Sequence, residues 1–555
     1  MTTAPRPRGT ADASACGSTR GRTGPPRRRA DLCRAAAAWL AVVVGVLLTG
    51  CAGVLPQVAR VPSAAMVAGP DVPLRAAVRD AMIPPGESGV WPLLQASYAL
   101  DARLAMIENA RSSLDLQYYM IADDSIGRPI LRALRDAGAR GVRVRLLVDD
   151  LHTVDLDRLL LGLAATPNVE VRLFNPFATA RDSSIGRLLA FALDFRRLNH
   201  RMHNKLFIAD GAMAIVGGRN LADEYFLRGA LGNFIDFDML LAGHAVPELS
   251  GWFDLYWNSA AAYPVQAISR AAGDPPEFIE AARKALDAVT RDDPRPDVPL
   301  APDFFGAPAF STALASHRLQ LIAAPAVTFA DSPSKIDPAN HPSPIEDTLA
   351  NRFLQQLSET RSEAVLFSPY FIPGKEVLAR IHRLRADGVS VRIVTNSMAV
   401  SDAPLTSVGL ERYQLPLLQM GVDLYELSSN RLKLDRTLRG LLGASTGRLH
   451  AKIAFLDRRM VLVGSMNLDP RSASINTEIG VRIDSAPLAE MVLAALKFDS
   501  LVGVYQVKLQ PRGTGLRWVA VDADSPEELD VDPDTSVWQR VRLMLLSLFV
   551  PESQL

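Results

Sequence analysis

Two histidine–lysine pairs carry the chemistry legible in this chain. His203 and Lys205 are followed by Asp210, Gly217, Gly218 and Asn220; His450 and Lys452 are followed by Asp457, Gly464, Ser465 and Asn467. In both sets the lysine lies two residues after the histidine, the aspartate five after the lysine and the asparagine ten after the aspartate. An imidazole can attack phosphorus and can carry a proton near neutral pH. The neighbouring ammonium can hold a phosphate oxygen and offset the charge that builds in a transition state. One set supplies one histidine. Two sets facing each other would bring a nucleophile and a general acid to a single phosphate, a scheme that needs no metal or cofactor; no convincing metal-ligand cluster is present in the sequence. Asn220 and Asn467 follow small residues that let the backbone come close, and their amides can donate to a phosphate oxygen.

A nucleophilic histidine needs its second ring nitrogen oriented, usually by a carboxylate. Glu478 lies 28 residues after His450, and in the first set Asp236 aligns best with it, with Asp238 as the alternative. Asp210 and Asp457 are read either as catalytic carboxylates or as turn residues at strand ends.

The elements that must position these groups also come twice. The separation of 247 between His203 and His450 recurs between Gly141 and Gly388. In the first copy the patterns predict a helix over 93–110, a strand over 114–121, a helix over 130–139, a strand over 142–148, a further helix and a strand over 169–174. The second copy repeats the order, with strands over 364–372, 389–396 and 422–427 and helices over 377–386 and 410–420. A strand over 234–240 carries Asp236. His203 and Lys205, two apart on a strand, would point the same way. The βαβαβ order predicts an α/β fold of two repeats. Each is expected as a mostly parallel mixed sheet flanked by helices, packed as a pseudo-twofold pair with one shared active site. The expected boundaries are a leader over 1–50, a tether over 51–92, a first domain over 93–270, a spacer and linker over 271–310, a second domain over 311–510 and an extension over 511–555. The helix over 276–290 reads as spacer, and the apolar helix over 538–549 either as packed on the domain or as lying on a membrane.

The chain of 555 residues has 60 basic and 60 acidic residues. Eight of the arginines and two of the aspartates lie in residues 1–50, so the remainder holds 52 basic and 58 acidic residues. That balance argues against non-specific nucleic-acid binding. Arg27, Arg28 and Arg29 precede an apolar run from Ala35 to Leu48 and then Thr49-Gly50-Cys51, the order of a secretory signal. Leu48-Thr49-Gly50-Cys51 resembles a bacterial lipobox, which implies a chain lipidated at Cys51, anchored in the cell envelope and facing the periplasm. An uncleaved anchor helix is the alternative reading. Cys16 and Cys33 would be lost on cleavage, leaving Cys51 with no partner for an intramolecular disulfide.

The pattern His-x-Lys-x4-Asp-x6-Gly-(Gly/Ser)-x-Asn, met twice, resembles the twin motif of the phospholipase D superfamily over roughly residues 93 to 510. The resemblance implies a phosphohistidine intermediate: one histidine attacks, the other protonates the leaving alcohol and then activates water or an acceptor alcohol. A narrower resemblance, to the bacterial cardiolipin synthase C group, rests on Arg201 to Lys205, Gly217 to Phe226, Asn233 to Asp238, Tyr256 to Ser259 and Val550 to Leu555. It implies transfer of a phosphatidyl group between phospholipids at a membrane surface. A hydrolase yielding phosphatidic acid and a non-catalytic lipid-binding lipoprotein are the rivals; protein partners are not indicated. Arg181, Arg187, Arg196, Arg197 and Arg201 precede the first motif, and Arg431, Lys433, Arg436, Arg439 and Arg448 the second. They are read either as head-group ligands or as solvated faces, and the run from Leu188 to Leu193 either as an acyl-chain contact or as core.

Overall fold

The computed structural model describes residues 55–179, 181, 183–269, 275–291, 297–337, 348–434, 442–496, 503–511, 513, 515–520, 527–547 and 550–554. The expected leader, Cys51, Arg436 and Arg439 lie outside the described residues.

Twenty-one strands are described. In chain order they are β1 (Ser88–Leu93), β2 (Ser113–Tyr118), β3 (Arg143–Asp149), β4 (Val169–Phe174), β5 (Leu206–Ala209), β6 (Met213–Gly217), β7 (Gly232–Ile235), β8 (Asp238–Gly243), β9 (Ala262–Pro264) and β10 (Ile322–Ala324). The second half adds β11 (Ala326–Ala330), β12 (Glu363–Phe367), β13 (Ser390–Asn396), β14 (Asp423–Leu427), β15 (Thr446–Leu449), β16 (Ile453–Leu456), β17 (Met460–Gly464), β18 (Ile479–Asp484), β19 (Val504–Leu509), β20 (Leu516–Ala520) and β21 (Glu528–Leu529). One sheet runs β10-β1-β8-β6-β5-β2-β3-β4-β9 and the other β11-β18-β17-β16-β12-β13-β14-β19-β20-β21. The stretch β8-β6-β5-β2-β3-β4 matches β18-β17-β16-β12-β13-β14 strand for strand, so the repeat in the sequence is a repeat in space.

Both repeats are mixed α/β, as expected, but within the two large sheets parallel pairing is confined to β2-β3-β4 and β12-β13-β14. The other pairs in those sheets are antiparallel, and links as short as that from β5 to β6 allow a hairpin and not a crossover. Gly141 and Gly388, at φ +95° and +84°, end the helices Gly127–Ala139 and Gly374–Ala386 in the left-handed conformation that glycine adopts without strain.

Side-chain alternation divides the core. Val144, Leu146 and Val148 of β3 face the helices of the first repeat, while Leu147 enters a core shared with Val365, Phe367, Val463 and Val481 of the second sheet. Leu366 and Ile393 face the helices of the second repeat. The two sheets thus pack face to face, with helices outside each.

Three expected boundaries shift. Residues 55–92, expected as a tether, join the first repeat: helix Pro73–Asp80 packs Leu74 and Ala77 into its core, β1 enters its sheet, and Ala65 N–H donates to the Asp254 carboxylate at 2.7 Å. The spacer helix Pro276–Arg291 packs Ala282 and Leu286 into the first core. The chain passes from the first sheet to the second at Pro325, between β10 and β11, rather than at residue 311. The terminal apolar helix is present as Val537–Ser547.

Candidate active site

The site is assembled where strands of opposite repeats meet. β7 pairs in parallel with β15, in a register that sets Ile235 against Leu449. The next residues are Asp236 and His450. His450 N–H donates to the Ile235 carbonyl at 2.8 Å, and its Nδ1 lies 2.6 Å from Asp236 Oδ2. The other side repeats this geometry. Met202 bridges Thr477, His203 N–H donates to the Thr477 carbonyl at 2.9 Å, and His203 Nδ1 lies 2.9 Å from Glu478 Oε2. Each histidine is therefore braced by a carboxylate of the other copy, whereas the sequence placed each carboxylate beside its own copy's motif. Asp236 is free to cross because the single strand expected over 234–240 is two, broken at Asp236–Phe237 between β7 and β8.

Gly218 makes room for the first bridge: a Cβ there would lie 2.1 Å from Asp236 Oδ1. The second copy has Ser465 in its place, and the hydroxyl donates to Glu478 Oε2 at 2.5 Å. Asp238, the alternative orienting residue, is instead clamped by Arg103 at 2.9 Å and Arg219 at 3.1 Å, with all three buried.

The His-x-Lys segments are not strand residues; they precede β5 and β16. Each lysine turns back, and its ammonium donates to the carbonyl of its own histidine, at 2.6 Å for Lys205. Lys452 Nζ also stands 2.9 Å from His450 Nδ1. Burial lowers Lys205 to about 7 and Lys452 to about 8. Burial, then Lys205 and Lys452, hold His203 well below the ordinary imidazole range. Burial and Lys452 lower His450, against Asp236, which raises it. Burial raises Glu478 to about 7, whereas Asp236, equally buried, is held below the usual carboxylate range by His450, Lys452 and Arg219. Aromatic rings pack on both imidazoles: Tyr119 lies edge-to-face with His203 at 5.1 Å and Tyr225 with His450 at 5.0 Å, while Phe234 lies tilted 4.7 Å from His450.

Both histidines open into one cavity of about 1010 Å³, lined also by Tyr119, His152, Tyr225, Phe234, Tyr370, Arg448, Asn467 and Arg471. Asn467 reaches the wall; Asn220 is buried behind it, and both keep a buried Oδ1 without a protein partner. Among the described residues no group of His, Cys, Asp and Glu could hold a metal ion.

Asp210 and Asp457 are not at this site, which corrects their reading as catalytic. Each sits at the far end of its strand at φ +55° and +54°. Asp210 accepts from the amides of Arg111, Ser112 and Ser113, and Asp457 from those of Arg361, Ser362 and Glu363. They are turn caps, so Asp210→Ala is expected to cost about 1–3 kcal/mol in urea unfolding while leaving turnover per folded molecule unchanged.

Most of the basic residues before the motifs are also placed elsewhere. Arg181 is buried against Asp150 and Asp157, Arg201 against Asp149, and Arg431 pairs with Glu527. Arg187 donates to the Asp150 carbonyl and Arg197 to Asp194. Among the described members of the set, only Arg448 lines the cavity. The other cation there, Arg471, was not singled out from sequence. Its counterpart 247 residues earlier is Glu224, also a wall residue, so the repeat itself obscured it.

A family model described as cardiolipin synthase, PLD-like domain, matches residues 104–235 and again 353–499, one match per repeat. The chain belongs to the phospholipase D superfamily. It is an enzyme of that superfamily's phosphatidyltransferase and phosphodiesterase class. Cardiolipin synthase C of Escherichia coli is 36% identical over 470 residues, covering 84% of this chain and 96% of the relative. An uncharacterized protein of Helicobacter pylori is 30% identical over 462 residues, covering 82% and 87%. Cardiolipin synthase 1 of Staphylococcus aureus is 25% identical over 405 residues, covering 72% of this chain and 64% of the relative.

Proposed function

We propose that the protein is a phosphatidyltransferase of cardiolipin synthase type that moves a phosphatidyl group between phospholipids through a phosphohistidine. The observation that carries this reading is the pair of carboxylate-braced histidines, one from each repeat, on a single cavity. With each carboxylate accepting from Nδ1–H, each Nε2 is left as the reactive nitrogen. His203, held neutral beside cations, attacks phosphorus. The P–O bond to the departing head-group alcohol breaks, and that oxygen takes the proton of His450, where the ionised Asp236 supports the imidazolium against burial and Lys452. The neutral His450 then removes the proton of an acceptor alcohol on a second phospholipid, whose oxygen attacks phosphorus and releases His203. Arg448, Arg471 and Asn467 offer donors to phosphate oxygens. The lipobox-like Leu48 to Cys51 supports anchoring through Cys51 in the cell envelope, facing the periplasm.

The test is to feed purified protein vesicles of phosphatidylglycerol and identify products by mass spectrometry. Cardiolipin with free glycerol is expected; phosphatidic acid without cardiolipin would replace this reading with hydrolysis.

The lysines set the pH dependence. A lysine is charged below its pKa, so with Lys205 at about 7 and Lys452 at about 8 the free enzyme loses positive charge behind the site as pH rises through that range. kcat/KM is expected to fall above about pH 7–8, and Lys205→Arg to move that limb upward because guanidinium stays protonated. A profile flat to about pH 10 would mean that the lysines titrate as ordinary ones.

A further inference from the structure

We propose that the protein docks on the surface of a phospholipid bilayer through two apolar helix faces at the rim of the active-site cavity, Ser184–Leu193 and Val537–Ser547. The proposal rests on the phospholipid reading of that cavity and says from where its substrates come.

The first helix is inside out. Ile185, Leu188, Leu189 and Leu193 fall on one helical face and are 74%, 69%, 60% and 60% exposed. Its charged residue, Arg187, is the buried one, donating to the Asp150 carbonyl and to Thr153 Oγ1 at 3.1 Å. Those two residues flank His152, which lines the cavity. The second helix behaves alike. Trp538, Val541, Met544 and Leu545 form an exposed face, Trp538 at 82%, while Leu543 turns in against Met398 and Val408. Val408 belongs to helix Pro404–Gln419, whose first three residues line the cavity. Leu231, 88% exposed, is itself a wall residue. Asn199, which follows the short helix Phe195–Leu198, donates to Gln554 near the C-terminus at 2.7 Å, and Gln554 also lines the cavity.

The cavity's size points to a bilayer as the occupant of these faces rather than a protein. About 1010 Å³ accommodates head groups but not the acyl chains of two phospholipids. If the chains stay in the membrane, the cavity mouth must meet it; Leu231 is on the wall, and each helix packs on a segment that also carries wall residues. Arg196 and Arg542, both exposed, flank the two faces and would meet anionic head groups. No described helix is long and apolar enough to cross a membrane, so the contact is interfacial.

The test uses the full chain and vesicles of phosphatidylglycerol and phosphatidylethanolamine. Hydroxyl-radical footprinting is expected to show Leu188, Leu189, Trp538 and Met544 protected on vesicles, by about tenfold for a face fully withdrawn from water. Protein that cofloats with the vesicles while these side chains oxidise at their free rate would overturn the proposal, even if Cys51 anchors it. The variant Leu188→Asp/Leu189→Asp/Trp538→Asp is expected to lose about tenfold of its turnover on vesicles and none on a dispersed short-chain phospholipid. Equal turnover on vesicles for variant and parent would also overturn it. Protection without any phosphatidyl transfer would instead sink the catalytic reading and leave the docking intact.

Discussion

His203→Ala and His450→Ala should each lower turnover on phospholipid by roughly 10⁴-fold or more, and the double variant should be no worse than either alone, because the two act as one unit. Each imidazole is buried and joined to its carboxylate and aromatic neighbours. The fold should persist, since the sheets pack elsewhere, and an unchanged far-ultraviolet spectrum with cooperative melting would check that. The variants should separate on a phosphodiester with an activated leaving group. Such a substrate needs no proton, so His450→Ala should still release one equivalent of leaving group in a burst, whereas His203→Ala should release none. Equal bursts from both would exchange or erase the assigned roles.

The second large effect concerns the crossed carboxylates. Asp236→Asn keeps the shape of the contact with His450 but removes the charge and permits the wrong tautomer, an exchange worth about 10²–10⁴ in kcat at buried histidines. The loss should vanish in a His450→Ala background and persist on burst release in the presence of an intact His203 only as far as proton donation limits the rate. Glu478→Gln should act on His203 in the same manner. Asp238 is two residues from Asp236 but holds Arg103 and Arg219. Asp238→Leu leaves two buried guanidiniums without their anion and should cost about 3–5 kcal/mol in urea unfolding. Chemistry lost at position 236 and stability lost at position 238 would separate the two roles.

The repeat was legible because a fixed spacing survives in the sequence: His203 and His450 recur with Gly141 and Gly388, and the strands around them alternate cleanly. The mixed α/β repeats and the histidine pair follow from that. The crossing of Asp236 and Glu478 did not, because pairing between β7 and β15 joins residues more than two hundred apart and alternation cannot say which partner an edge strand takes. The stretch from Phe234 to Leu240 also reads as one strand in sequence, which concealed the break at Asp236–Phe237. Arg181 and Arg201 looked available for substrate because their counter-charges, Asp150 and Asp149, lie on another strand's end. The run from Leu188 to Leu193 could be core or surface by composition alone. Only the burial of Arg187 shows which face turns outward.

The central claim is that one histidine carries the phosphatidyl group while the other moves the proton. It is tested most directly by denaturing the enzyme at alkaline pH during turnover on phosphatidylglycerol and locating the covalent adduct by peptide mass spectrometry. A phosphatidyl group on His203 alone, lost in His203→Ala and accumulating in His450→Ala fed the activated substrate, is the expected result. An adduct on His450, or an active enzyme that never carries an adduct, would contradict it.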